Sequence, residues 1–218
     1  MGIASFTGAS SVVKPGVVTT ATRPSSPFVG QLIYDTDISD ILAWNGSAWT
    51  VQSGGLVYLT GASFTSATTI SMAAGVFTST YKTYQVVFQV TSGNDSQISV
   101  RVNNAGTPRT ATNYYGYSTR SAHTGVTATA TNAGTSLNLT AMSAGNGYFA
   151  QFTGYVFSPT IAERTQMVFM GNGSNDSNTP AYFTAGGEYN IAEATDGLTF
   201  ICGAAQTGFY RVYGLTEN

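Results

Sequence analysis

Tyr84-Gln-Val-Val-Phe-Gln-Val90 is followed by the polar link Thr91-Ser-Gly-Asn-Asp-Ser96 and then by Gln97-Ile-Ser-Val-Arg-Val-Asn103. Side chains of an extended strand point alternately to its two faces. Tyr84, Val86, Phe88 and Val90 therefore share one side, and Gln85 and Gln89 the other. The second run repeats the pattern, with Ile98, Val100 and Val102 set against Gln97, Ser99, Arg101 and Asn103. Each run is predicted to bury one face and wet the other. The link, with Gly93-Asn-Asp95 at its centre, predicts that the two runs pair as an antiparallel hairpin, with a loop longer than the tight two-residue type. Half-buried antiparallel sheets belong to sandwiches and barrels, so the predicted fold class is all-β.

Composition narrows the function. Charged residues make up 8% of the 218, against roughly 25% in an average globular protein. The surface must then be built from Ser, Thr, Asn, Gln and Gly. Hydrophobic content of 42%, with 13 Tyr and 12 Phe, is enough for a substantial core, which argues against global disorder. The basic residues Lys14, Arg23, Lys82, Arg101, Arg109, Arg120, Arg164 and Arg211 are scattered and the net charge is −2. Nucleic-acid binding would need a basic stripe, so no nucleic-acid partner is expected. The single cysteine, Cys202, lies in the apolar run Leu198-Thr-Phe-Ile-Cys202 and reads as a buried, inert thiol. The start, Met1-Gly-Ile-Ala-Ser-Phe6, lacks the features of a secretory signal, and no run is long and apolar enough for a membrane span.

Working outward, residues 1–22 are rich in Ser, Thr, Val and Gly and read as an extended N-terminal arm that orders against partners. Residues 23–55 read as a small β module: a strand at Gln31–Tyr34, a turn at Asp35–Asp40, a strand at Ile41–Trp44, a tight Asn45-Gly46 turn and a third strand at Ala48–Val51. So short a segment buries little alone. Tyr34, Trp44 and Trp49 are therefore the candidate attachment or oligomerisation residues. After Ser53-Gly-Gly55, residues 56–218 carry about ten short strand candidates separated by Gly- and Asn-rich turns, the pattern of a jelly-roll-like antiparallel sandwich. The polar stretch Thr107–Gly134 is read as a long loop. Its Asn113, Tyr114, Tyr115, Tyr117 and Arg120 are the candidate glycan-binding group, with rings to stack on sugars and polar groups to hydrogen-bond them, or alternatively a subunit interface.

Catalytic motifs are scarce. The only histidine is His123, there is no Gly-x-Ser-x-Gly elbow, and no set of metal ligands or cofactor loop is present. Asp35-Thr-Asp-Ile-Ser-Asp40 departs from the EF-hand pattern, with Asp40 where a Gly is needed, and reads as a structural turn. A carboxylate pair drawn from Glu163, Glu188, Glu193 and Asp196 is what a glycan hydrolase would need. No catalytic residue, metal or cofactor is expected.

Arg23-Pro-x-x-Pro-x-x-Gly30-Gln-x-Ile-Tyr-Asp-Thr-Asp37, followed by Trp44-Asn-Gly-Ser-x-Trp49, resembles a short module of tailed-bacteriophage virion proteins. That module occurs in tail fibres and other minor structural proteins, ahead of a β-rich C-terminal domain. Tyr81-x-x-Tyr84-x-Val-x-Phe88 and Tyr210-Arg-Val-Tyr-Gly-Leu215 are similar to the sandwich domains of those proteins. The resemblance implies a non-enzymatic virion protein, a homotrimeric tail fibre or receptor-binding protein that meets other virion proteins through residues 1–50 and host-surface polysaccharide through its sandwich. The alternatives are a capsid decoration or head-fibre protein and, last, a virion-associated glycan hydrolase.

Overall fold

The computed structural model describes residues 15–52, 55–93, 96–122, 125–142, 150–174 and 180–216. Their regular structure is β-strand throughout, apart from one turn of 3-10 helix at Thr20–Thr22. The chain divides into two units, the first ending at Gly55 and the second starting at Leu56.

The first unit is a four-stranded sheet in the order β1 (Gly16–Val18), β2 (Leu32–Asp35), β3 (Asp40–Trp44), β4 (Trp49–Val51). Ile33 and Leu42 face each other in register and are buried. Asn45 closes the β3–β4 turn by accepting the backbone N–H groups of Ser47 and Ala48 at 2.9 and 2.8 Å, while Gly46 takes φ +103, a conformation that favours glycine. The described end of the expected arm belongs to this sheet. β1 pairs in parallel with β2 of its own chain rather than awaiting another. Asp35 anchors the arrangement. Its buried carboxylate accepts from Arg23 Nε at 2.7 Å, from the Asp37 N–H at 2.9 Å and from the Thr20 hydroxyl at 3.1 Å. Burial pushes this carboxyl up, but the Arg23 guanidinium and the other two donors outweigh it and leave it below its ordinary value.

The second unit is a single 11-stranded antiparallel sheet folded over on itself into a sandwich. Its strands are β5 (Leu56–Ser71), β6 (Thr83–Gly93), β7 (Ser96–Asn104), β8 (Thr107–Pro108), β9 (Tyr114–Ala122), β10 (Gly125–Gly134), β11 (Leu137–Met142), β12 (Ala150–Phe157), β13 (Thr165–Ser174), β14 (Pro180–Tyr189) and β15 (Gly197–Leu215). The long strand β15 turns the corner between two leaves, with β5 paired to it on either side of the bend. Residues Gln206–Leu215 pair with β6 in a long leaf, β10-β9-β14-β13-β12-β6-β15-β5. Residues Gly197–Cys202 pair with β7 in a short leaf, β5-β15-β7-β11. Register shifts between Ile201 and Gly208 mark the bulged bend. At Gly208 the chain passes so close to the Gln89 carbonyl that a Cβ would have no room.

The predicted hairpin is therefore not formed. β6 and β7 both run antiparallel to β15, one after the other along the same flank, so they point the same way in different leaves. Alternation specifies which face is buried, not which strand lies alongside. The faces themselves are as expected: Tyr84, Val86, Phe88, Val90, Ile98, Val100 and Val102 are all buried. They meet across the core, where the rings of Phe88 and Phe200 lie 4.3 Å apart. Ser99 and Asn103, expected to be wet, are buried too. Asn103 Oδ1 accepts the Thr199 hydroxyl at 2.8 Å. Thr107–Gly134 is not a long loop, since it contains β8 and the β9–β10 hairpin at the rim of the long leaf.

Candidate functional site

Strand alternation gives the long leaf a buried inner face and a solvent-facing outer one. On the outside, register aligns Tyr117, Gly186, Val168, Tyr155, Gln85 and Tyr213 in one row across the strands. Tyr115, Glu188, Gln166 and Phe157 form the row on one side of it. On the other side, one strand step beyond the Thr119–Thr184 pair, lie Ser121, Tyr182, Asn172 and Gln151. This surface is made of rings, amides and hydroxyls. The Thr119 and Thr184 hydroxyls bond at 2.6 Å, and Gln85 Nε2 donates to the Tyr155 hydroxyl at 3.0 Å.

Gly186 makes a notch in the middle row. A Cβ there would meet nothing closer than the Met167 carbonyl at 3.8 Å and a Val168 methyl at 4.0 Å, so the space beside Tyr117, whose side is 55% exposed, stays open. Next to the notch lies a shallow hollow of about 370 Å³ walled by Phe157, Gln166, Val168 and Glu188. A second, of about 440 Å³, adjoins it through Phe157 and Gln166 and is walled by Glu163, Arg164 and Ala192. Arg164 donates to Glu188 at 3.1 Å at the junction; an ion pair this exposed contributes little to stability.

The five residues proposed as a glycan site do not converge. Tyr115 and Tyr117 are exposed on the outer face, but Tyr114 alternates inward and is fully buried. Its hydroxyl accepts the Val102 N–H and donates to the Arg109 carbonyl, both at 3.0 Å, tying β9 to the short leaf. Burial pushes this phenol well above its ordinary value. Arg120 shares the strand parity of Tyr114 rather than of Tyr117, and Asn113, half-buried, precedes β9. Nothing in the linear pattern pointed to Gly186, Gln166 or Phe157, because only strand register sets Gly186 across from Tyr117 and carries the same outer surface on to Gln166 and Phe157. In the small sheet, Tyr34 lies on the face of Val17, Leu32 and Ile41, whereas Trp44 and Trp49 lie on the opposite one, their rings 5.6 Å apart.

Three of the carboxylates weighed for catalysis, Glu188, Glu193 and Asp196, hold contacts within the fold. Glu193 receives both arms of Arg109, Nε and Nη2, each at 2.7 Å, an arrangement that pushes the guanidinium up. Asp196 accepts the N–H groups of Gly75 and Gly106. Cys202 is buried, and burial pushes its thiol up to about 11. His123 lies outside the described residues. Among the described residues no three His, Cys, Asp or Glu side chains are grouped to hold a metal ion, and no helix is long and apolar enough to cross a membrane.

No family model matches the chain, and no curated protein does. Among solved structures it resembles a sucrose-6-phosphate hydrolase from Lactobacillus gasseri at a TM-score of 0.32 and 10% identity, over 86% of this chain and 37% of that one. The chain thus spans little more than a third of that protein, and a likeness this distant carries no argument about activity.

Proposed function

We propose that this chain is a non-enzymatic structural protein of a tailed-bacteriophage virion, a homotrimeric tail fibre or receptor-binding protein that meets host-surface polysaccharide through the outer face of the long leaf. One observation carries the binding role: exposed rings and amides stand in register around the open Gly186 notch. Aromatic faces pack against the apolar faces of sugar rings, and amides and carboxylates bond their hydroxyls. A site so open binds weakly, on the order of 1 mM for a single copy. Several copies on one particle raise the avidity by about 10²–10⁴.

The virion role rests on the resemblance of residues 23–50 to the phage module and on the exposed apolar side of the small sheet. Val17, Leu32 and Ile41 stand on that side at 60%, 48% and 41% exposure. Such a face suits docking to another virion protein. It fits a capsid decoration protein as well as a tail fibre; antibody labelling of intact particles separates the two.

The purified protein should bind bacterial cells, and their extracted surface polysaccharide should compete. Tyr117→Ala combined with Phe157→Ala should lower that binding at least tenfold without altering the far-UV circular dichroism. Binding unchanged by the pair, or no binding by the assembled protein, would sink the receptor role.

A further inference from the structure

Among the described residues the long leaf ends in two strands that each have a partner strand on one flank only: β5 pairs only with β15 and β10 only with β9. A free edge presents a row of unpaired N–H and C=O groups, and monomeric proteins guard such edges with charges, prolines or bulges. Leu56–Ser71 contains no charged residue and no proline, and Gly125–Gly134 contains none either. Their bulges, near Leu59 and Ser66 in β5 and near Ala133 in β10, leave Thr60–Phe64 and Gly125–Thr131 regular. Within the long leaf β5 has two register shifts, at Gln206/Gly208 and Val212/Tyr213 on its partner, and β10 has one, between Thr131 and Gly134, after running in register from Gly125 to Thr131. The exposed side chains along both edges are mostly Ser, Thr and Ala, with Leu56, Tyr58, Val126 and Asn132 among them. The regular stretches leave backbone groups on each edge that a further strand could take up.

Direction decides which strand. Every neighbouring pair from β10 through β9, β14, β13, β12, β6 and β15 to β5 is antiparallel. Eight strands in alternation leave β5 and β10 running in opposite directions. A second copy turned about an axis roughly along the strands keeps its orientation, so its β10 meets the first copy's β5 antiparallel, the normal geometry of this sheet. A two-fold β5–β5 contact would also be antiparallel, but it would leave both β10 edges bare. Only head-to-tail pairing that closes on itself covers every edge of the leaf.

We infer that β5 of one copy pairs with β10 of the next, joining the long leaves into a closed ring of identical chains. The outer faces then become one continuous surface repeated around the ring. The pairing uses backbone groups and edge side chains, so it does not depend on what that outer surface binds.

Lysines placed on one edge test the inference. Ser63→Lys with Thr65→Lys loads β5, and Thr127→Lys with Thr129→Lys loads β10; all four positions are exposed. By light scattering the native chain should be a closed oligomer, the trimer where the copy number of the proposed function holds, and either lysine pair should give monomers with unchanged circular dichroism. Lysines on β5 together with Thr127→Glu and Thr129→Glu on β10 should restore the oligomer, because opposite charges now meet across each junction. A monomeric native chain, a dimer sensitive to β5 alone, or an oligomer indifferent to both edges would overturn the ring. Should the variants misfold, hydrogen exchange on the native chain decides. Amides of β5 and β10 should gain protection together, at least tenfold, as concentration rises; protection independent of concentration would overturn it.

Discussion

The two faces of the long leaf are made by the same strands and differ in what they touch. Inward, Tyr114, Phe183, Phe169, Phe152 and Phe88 are all buried, packed beneath the short leaf. Outward, Tyr117, Tyr182 and Met170 stand 55%, 48% and 42% exposed on residues of the opposite parity. Three positions separate Tyr114 from Tyr117, yet one fastens the leaves together and the other faces solvent. The inner face holds the fold by area and close contact. The outer one is free to vary without unfolding anything, which is what a binding surface needs.

Substitutions should split along that division. The largest loss is expected from Phe88→Ala, which removes a ring packed between Phe64 at 5.3 Å and Phe200 at 4.3 Å. Emptying such a site costs about 3–5 kcal/mol, read by denaturant unfolding. Gly154→Ala should cost about 1–3 kcal/mol through overpacking, because its Cβ would collide with the Phe169 ring. Tyr114→Phe keeps the ring but strands the Val102 N–H, and should cost about 1–3 kcal/mol in the same assay.

Acid should act on the small sheet first. Its Asp35 carboxyl sits below the ordinary value, so the folded sheet favours the ionised form. That stabilisation is complete above about pH 4 and is lost as pH falls further and the carboxylate takes up its proton. Both tryptophans of the chain, Trp44 and Trp49, report this unit alone. Their fluorescence should shift in acid, and at higher pH in Arg23→Ala than in the native chain. The smallest effect on stability belongs to Tyr117→Ala on the outer face, within about 0.5 kcal/mol.

The all-β class and the buried faces of β6 and β7 were legible in the sequence because alternation is local and written in large apolar residues. Three of the four small-sheet strands, β2 to β4, were legible within a residue or two, helped by the Asn45-Gly46 turn, whereas β1 was read as part of the arm. The partners of β6 and β7 were not, since pairing depends on a bend in β15 more than a hundred residues later. Nor was the β9–β10 hairpin. Gly125-Val-Thr-Ala-Thr-Ala-Thr131 lies at the rim with almost every residue exposed, so it has no apolar face to announce a strand. The tyrosines of β9 were visible as a cluster but not as residues on opposite faces, which took the strand's phase to resolve. Gly186, which opens the notch, carries no signal outside the folded sheet.

The division of the leaf is tested most directly by measuring polysaccharide binding and unfolding side by side on Tyr114→Phe and Tyr117→Ala. Tyr114→Phe should unfold more easily and still bind while folded, and Tyr117→Ala should unfold like the native protein and bind at least several-fold more weakly. If Tyr117→Ala binds as the native protein does, or if it loses as much stability as Tyr114→Phe, the outer face is not the binding surface.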